Sequence, residues 1–308
     1  MIVVFSGGTG GAKLIEGLAA ETDPAELTII CNTGDDEIFH GLYVSPDIDT
    51  ITYTLAELID TDKGWGVKDE TFNALEQLGR LGGETWFKLG DKDLATHITR
   101  TRLLGEGFRL SQATDRIRRA LGIKATILPM ADERVETRVQ TPQGEISFQE
   151  FFVKDHWSSA VTAIRFARVE SSRPAPGVLE AIERAAAIIV GPSNPITSIG
   201  PILAVPGIRS ALTASSAPKI GVSPIIGASA ISGPAHKLMK ACGREASALG
   251  VAQCYEDFLD TLLVAAEDKN VIEPIAKLQV HAIATDIRMT SSSDKRRLAR
   301  QVLALVGK

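Results

Sequence analysis

The run Ser6-Gly7-Gly8-Thr9-Gly10-Gly11-Ala12-Lys13 has the composition of a phosphate cradle. Glycines let backbone N–H groups approach an anion, and a helix starting there adds roughly half a positive charge. The run matches neither standard fingerprint. A Walker A loop needs a hydroxyl directly after its lysine, where Leu14 stands, and the dinucleotide pattern needs Gly or Ala where Lys13 stands. A tight strand-to-helix turn without a ligand is the structural alternative.

Acidic and aromatic segments follow. Asn32-Thr33-Gly34-Asp35-Asp36 places carboxylates where an acid holds a ribose in dinucleotide enzymes, or where hard oxygen ligands bind a divalent metal; a solvated turn with a capping Asp is the alternative. Asp47 and Asp49 lie two apart and, if extended, project to the same side, able to hold one Mg2+ or to raise one carboxyl's pKa for use as a base. Either could instead cap a helix beginning near Thr50. Trp86, Phe87, Lys88 and the turn through Gly90 to Asp93 offer a planar ligand with a polar tail an aromatic surface and a cation, or else are core plus a cap. His97 reads as structural. The Gly-Pro-Ser-Asn-Pro loop at 191–195 presents Ser193 and Asn194, side chains suited to a base or ribose, and a second loop at 223–234 would close the same cleft.

These residues need a sheet to converge. Residues 2–5 form an apolar run followed by the glycine turn and a helical pattern through Leu14, Ile15 and Leu18, and Leu27-Thr28-Ile29-Ile30-Cys31 reads as the next strand. A βαβ unit puts both following loops at one carboxyl edge, where open α/β sheets bind ligands. Residues 50–121 carry helical spacing, and 134–148 alternate around a Pro-Gln-Gly turn as a hairpin. From Val178 the α/β rhythm resumes, with strands at 188–190 and 219–222. The expected fold is α/β: a Rossmann-like, doubly wound, mostly parallel sheet built from 1–50 and 160–308, with 51–159 a largely helical insertion or lid carrying the hairpin.

Composition sets bounds on partners. The 308 residues are 44% hydrophobic, with 33 Lys plus Arg against 38 Asp plus Glu and a net charge of −5. No basic stripe is present, so nucleic acid is not an expected partner. Cys31, Cys242 and Cys254 have no CxxC spacing, which argues against a zinc site or disulfide framework. With no leader pattern and no apolar run near 20 residues, a soluble cytoplasmic protein without membrane association is expected.

Taken in order, Ser-Gly-Gly-Thr-Gly at 6–10, Asn-Thr-Gly-Asp-Asp at 32–36, Ser-Pro-Asp-Ile-Asp-Thr at 45–50, the Lys-Leu-Gly-Asp-Lys-Asp-Leu-Ala-Thr-His segment at 88–97, Ile-Leu-Pro-Met at 127–130, the loop at 191–201 and Ser-Pro-Ile-Ile-Gly at 223–227 resemble the 2-phospho-L-lactate transferase family of coenzyme F420 biosynthesis. The resemblance implies a Mg2+-dependent, cytoplasmic, homodimeric transferase. Its donor would be lactyl-2-diphospho-5′-guanosine or the enolpyruvyl counterpart, its acceptor the deazaflavin alcohol FO, and GMP the leaving product. It places the family's FO-contacting Asp and Lys on Asp49 and Lys88. On that basis Gly7, Gly8, Thr9, Gly10 and Gly11 are expected to bind diphosphate, Asp49 to hold Mg2+ or take the hydroxyl proton, Asp35 to assist as a metal ligand, the deazaflavin to lie on Trp86, and guanosine to lie near Ser193 and Asn194. A nucleotide-sugar-binding regulator without turnover and a nicotinamide-dependent oxidoreductase are the rival classes; the broken glycine fingerprint and the lack of an obvious His or Tyr acid disfavour the second.

Overall fold

Unbroken apolar sequence over residues 2–5 makes the strand Ile2–Ser6, which must be covered on both faces, and alternate side chains enter separate cores: Val3 and Phe5 on one side, Ile2 and Val4 on the other. This strand, β1, is the centre of the fold. The computed structural model describes residues 1–227, 229–230 and 233–307. The other sheet strands are β2 (Leu27–Cys31), β3 (Thr126–Pro129), β4 (Ala187–Val190), β5 (Lys219–Val222), β6 (Thr261–Ala265) and β7 (His281–Thr285). They lie side by side in the order β7-β6-β5-β4-β1-β2-β3, all parallel. That is the doubly wound architecture expected, with three strands, β3, β6 and β7, beyond the four read from the sequence.

Helices cover both faces. The first, Gly8–Glu21, buries Leu14, Ile15 and Leu18 beside the carboxy-terminal helix Ser292–Leu305, which contributes Leu298, Val302 and Leu303. Each such fully buried aliphatic side chain contributes about 1.5–3 kcal/mol. The stretch 51–159 supplies the helices Asn73–Arg80, Asp91–Gly105 and Leu110–Ala120, but it also supplies β3, which pairs with β2 inside the main sheet. The hairpin is present as Glu136–Thr141 and Gly144–Ser147, and Ala163–Ala167 adds a third antiparallel strand to it. No helix among the described residues is long and apolar enough to cross a membrane. Of the second loop singled out above, Ala228, Ile231 and Ser232 lie outside the described residues.

Candidate functional site at the sheet switch point

β1 ends level with both neighbours, Ser6 beside Cys31 and Phe5 beside Val190. Strand order reverses between β1 and β4, so the loops that leave these ends splay apart and open the crevice where such sheets bind ligands. The glycine turn occupies its floor. Gly8 has φ +66, and a Cβ on Gly10 would strike the Pro192 carbonyl while one on Gly11 would strike the Ser6 and Ser193 hydroxyls. These glycines therefore let the loops after β1 and β4 pack backbone to backbone. The Gly7 N–H donates to Ser193 Oγ (3.2 Å).

Asn32 joins three segments. Its Nδ2 donates to Asp47 Oδ2 (2.8 Å) and to the Thr197 carbonyl (3.2 Å), and its Oδ1 accepts from the Gly34 N–H (2.8 Å). Asp47 Oδ1 in turn accepts from the Gly8 N–H (2.7 Å), so a carboxylate already touches the start of the first helix. Burial pushes the Asp47 carboxyl up to about 6 against the opposing effect of those donors.

Asp47 and Asp49 do not project to one side. The chain is helical over Pro46–Leu55, with Pro46 preset for the first position, so residues two apart differ by about 200° around the axis. The helix begins earlier than the Thr50 start expected from sequence. While Asp47 faces the glycine turn, Asp49 meets Arg100 from the helix Asp91–Gly105: Nη1 donates to Oδ2 (3.0 Å) and Nη2 to Oδ1. Arg100 is fully buried; burial disfavours its charge, but Asp49 more than restores it. His97 lies beside this pair, with Nδ1 3.6 Å from Asp49 and Nε2 3.1 Å from Asp93. The imidazole is buried between two carboxylates, and its Nε2 has no hydrogen-bond partner among the described residues.

Asp35 and Asp36 complete an acidic cluster. Burial, then the Asp47 charge, raise the Asp35 carboxyl well above its ordinary range; burial raises Asp36 despite the Ser45 hydroxyl that donates to its Oδ2 (2.7 Å). One oxygen of each, Asp35 Oδ1 and Asp36 Oδ1, is buried without a hydrogen-bond partner, as are the Ser6 and Thr33 hydroxyls at the same strand ends. Buried polar atoms without partners are rare and signal a ligand, ion or water. Mg2+ takes one or two protein carboxylates and completes its shell with water and phosphate oxygens, so two orphaned carboxylate oxygens beside a phosphate cradle fit it. Among the described residues no group of three His, Cys, Asp or Glu could hold a metal ion by itself.

The remaining sequence candidates fall as follows. Thr9 is half-buried in the first turn of the helix. Ser193 is buried and Asn194 half-buried, its Oδ1 accepting from the Ile196 N–H (2.9 Å), so both help shape the loop after β4. Trp86 is half-buried in an aromatic cluster, edge-on to Phe39 (5.2 Å) and Phe87 (5.9 Å). Lys88 is exposed and makes no hydrogen bond or ion pair with any described residue. Asp91 caps a different helix from the one it begins, accepting from the Asn73 and Ala74 N–H groups at the start of Asn73–Arg80. Sequence reasoning passed over Asn32 as an organiser and Arg100 altogether; the visible signal for Arg100 was its place one turn after His97.

A glycine turn, a facing Ser-Asn loop and a buried acidic cluster meet at the switch point of a Rossmann-like sheet, the place where this fold class binds ligands. Over residues 2–303 the chain matches the family described as 2-phospho-L-lactate transferase CofD. It is 41% identical over 302 residues to the 2-phospho-L-lactate transferase of Methanosarcina mazei, covering 98% of this chain and 99% of that protein. It is 44% identical over 310 residues to the phosphoenolpyruvate transferase of Streptomyces griseus, covering 99% and 98%. A crystal structure of a UPF0052 family member from Bacillus halodurans has the same fold, with a TM-score of 0.64, 19% identity and 98% of both chains covered. The chain belongs to the 2-phospho-L-lactate transferase CofD family.

Proposed function

We propose that the protein is a transferase that moves a substituted phosphoryl group, phospholactyl or its enolpyruvyl analogue, from a guanosine diphosphate-linked donor to the terminal ribityl hydroxyl of FO, releasing GMP. The observation that carries this reading is the meeting, at one crevice, of the glycine turn with Asp47, whose charge reaches Asp35, while Asp35 and its neighbour Asp36 each keep a buried oxygen without a partner. Relatives named for both the phospholactate and the phosphoenolpyruvate reactions support the two donors equally.

The chemistry asks mainly for positioning and charge neutralisation. N–H groups from Thr9 to Gly11, at the positive end of the first helix, would hold diphosphate oxygens. Asp35 and Asp36 would hold Mg2+, which when bound offsets the diphosphate charge. Asp47, with a carboxyl near 6, would accept the hydroxyl proton as the new P–O bond forms and the bond to GMP breaks. The family likeness assigns Asp49 and Lys88 to FO. Lys88, exposed and unpaired, can meet the ribityl chain as it stands, whereas Asp49 acts together with Arg100 as a fixed ion pair. Ser193 and Asn194 border the guanosine end.

Incubation with FO, Mg2+ and each guanosine diphosphate-linked donor, followed by mass measurement of the deazaflavin product, tests this directly. FO gaining the phospholactyl or enolpyruvyl-phosphoryl mass, with one GMP per product, is the expected result. Unchanged FO with both donors contradicts it.

A further inference from the structure

We propose that Trp65 is the stacking surface for the tricyclic ring of the acceptor, an assignment that rests on the transferase reading above. Residues 57–68 form a loop whose tip is tied by its own backbone. The Asp60 N–H donates to the Gly66 carbonyl (3.0 Å), the Gly64 N–H to the Asp60 carbonyl (2.8 Å) and the Lys68 N–H to the Leu58 carbonyl (2.7 Å). Asp60 Oδ1 accepts from the Asp62 and Lys63 N–H groups as well. The two glycines beside Trp65 take the left-handed conformation, with φ +76 at Gly64 and +73 at Gly66, which fixes the indole on a tight tip.

This tip lies on the phosphate-binding turn. A Cβ placed on Gly64 would be 3.6 Å from Thr9 Cγ2. The neighbouring Trp65 is 42% exposed, and the Lys63 ammonium sits 5.9 Å over its ring. A large exposed aromatic held beside a polar cradle offers what a flat ligand needs: apolar area at low conformational cost.

The other tryptophans are already used. Trp86 packs against Phe39 and Phe87, lies under the Lys154 ammonium and donates from Nε1 to Glu84, and Trp157 packs on Phe152. Among the described residues Trp65 has no aromatic neighbour of this kind. The loop directly follows the helix Pro46–Leu55, which carries Asp49, the residue the family likeness assigns to the acceptor. Its indole therefore serves the acceptor, and the Trp86 placement of the deazaflavin gives way to it.

Calorimetric titration of FO and of GDP, each with Mg2+, into the wild type, Trp65→Ala and Trp65→Phe is the test. Trp65→Ala is expected to weaken FO binding about tenfold while GDP affinity stays within about twofold, and Trp65→Phe to recover most of the loss. An unchanged thermal midpoint in Trp65→Ala would show that the loss is not one of folding. Wild-type binding of FO with no loss in Trp65→Ala, or an equal loss for GDP, overturns the Trp65 assignment alone. Failure of the wild type to bind FO at all overturns the transferase reading, and the assignment with it.

Discussion

Asp47 is the residue on which the crevice turns: it accepts from both Gly8 and Asn32 yet is 7% exposed, and burial lifts its carboxyl to about 6. A carboxyl whose pKa is higher in the folded than in the unfolded chain makes the fold bind more protons than the unfolded state. Its favourable contribution is complete below about pH 4 and is lost as pH rises through about 6. A shift of roughly two units corresponds to about 3 kcal/mol. Asp35 and Asp36, also raised by burial, act in the same sense. Asp47→Asn cannot ionise, so its stability relative to the wild type is expected to improve by about 3 kcal/mol between pH 4 and 7, whatever constant offset its altered hydrogen bonds impose. Urea unfolding across that range measures the difference, and a pH-independent gap between the two proteins would exclude the assigned titration.

Two helices from different parts of the chain are locked by the Asp49–Arg100 pair, Pro46–Leu55 by its first turn and Asp91–Gly105 by its middle. Removing one partner of a buried ion pair strands the other charge. Asp49→Asn and Arg100→Met are each expected to cost about 3–5 kcal/mol, and the double variant markedly less than their sum. Additive losses in equilibrium unfolding would show that the pair is not coupled. Neither helix contact was legible in the sequence. Ser-Pro-Asp-Ile-Asp-Thr is too short to show a period, so the sequence leaves an extended Asp47–Asp49 pair open beside a helix cap, whereas in the fold Pro46 opens the helix ahead of both. Arg100 sits among Arg102 and other polar residues, where a solvated arginine is the ordinary expectation; only tertiary placement buries it. The glycine turn was legible because glycine carries its own backbone preference into any fold.

At the scale of the whole molecule, seven parallel strands bring residues 6–11, 32–36, 45–49 and 191–198 to one edge, although almost 190 positions separate Gly7 from the Ser193 hydroxyl it meets. Apolar runs, residues 2–5 of β1 and the whole of Ala187–Val190, announced this sheet, because burial on both faces leaves no room for polar alternation. β3 did not: Thr126–Pro129 is short and ends in proline, which an edge position tolerates and a central one would not. Its docking against β2 places the start of the hairpin beside Gly34, whose carbonyl accepts from the Thr137 N–H (2.7 Å), so the edge strand helps to close the acidic side of the crevice.

The account as a whole stands on that crevice holding a metal-bridged diphosphate, and a crystal structure of the complex with GDP and Mg2+ measures this most directly. Phosphate oxygens are expected about 3 Å from the N–H groups of Thr9 to Gly11, with the ion on Asp35 and Asp36. Phosphates seated away from the exits of β1 and β4, with those two carboxylates left without the ion, would contradict it.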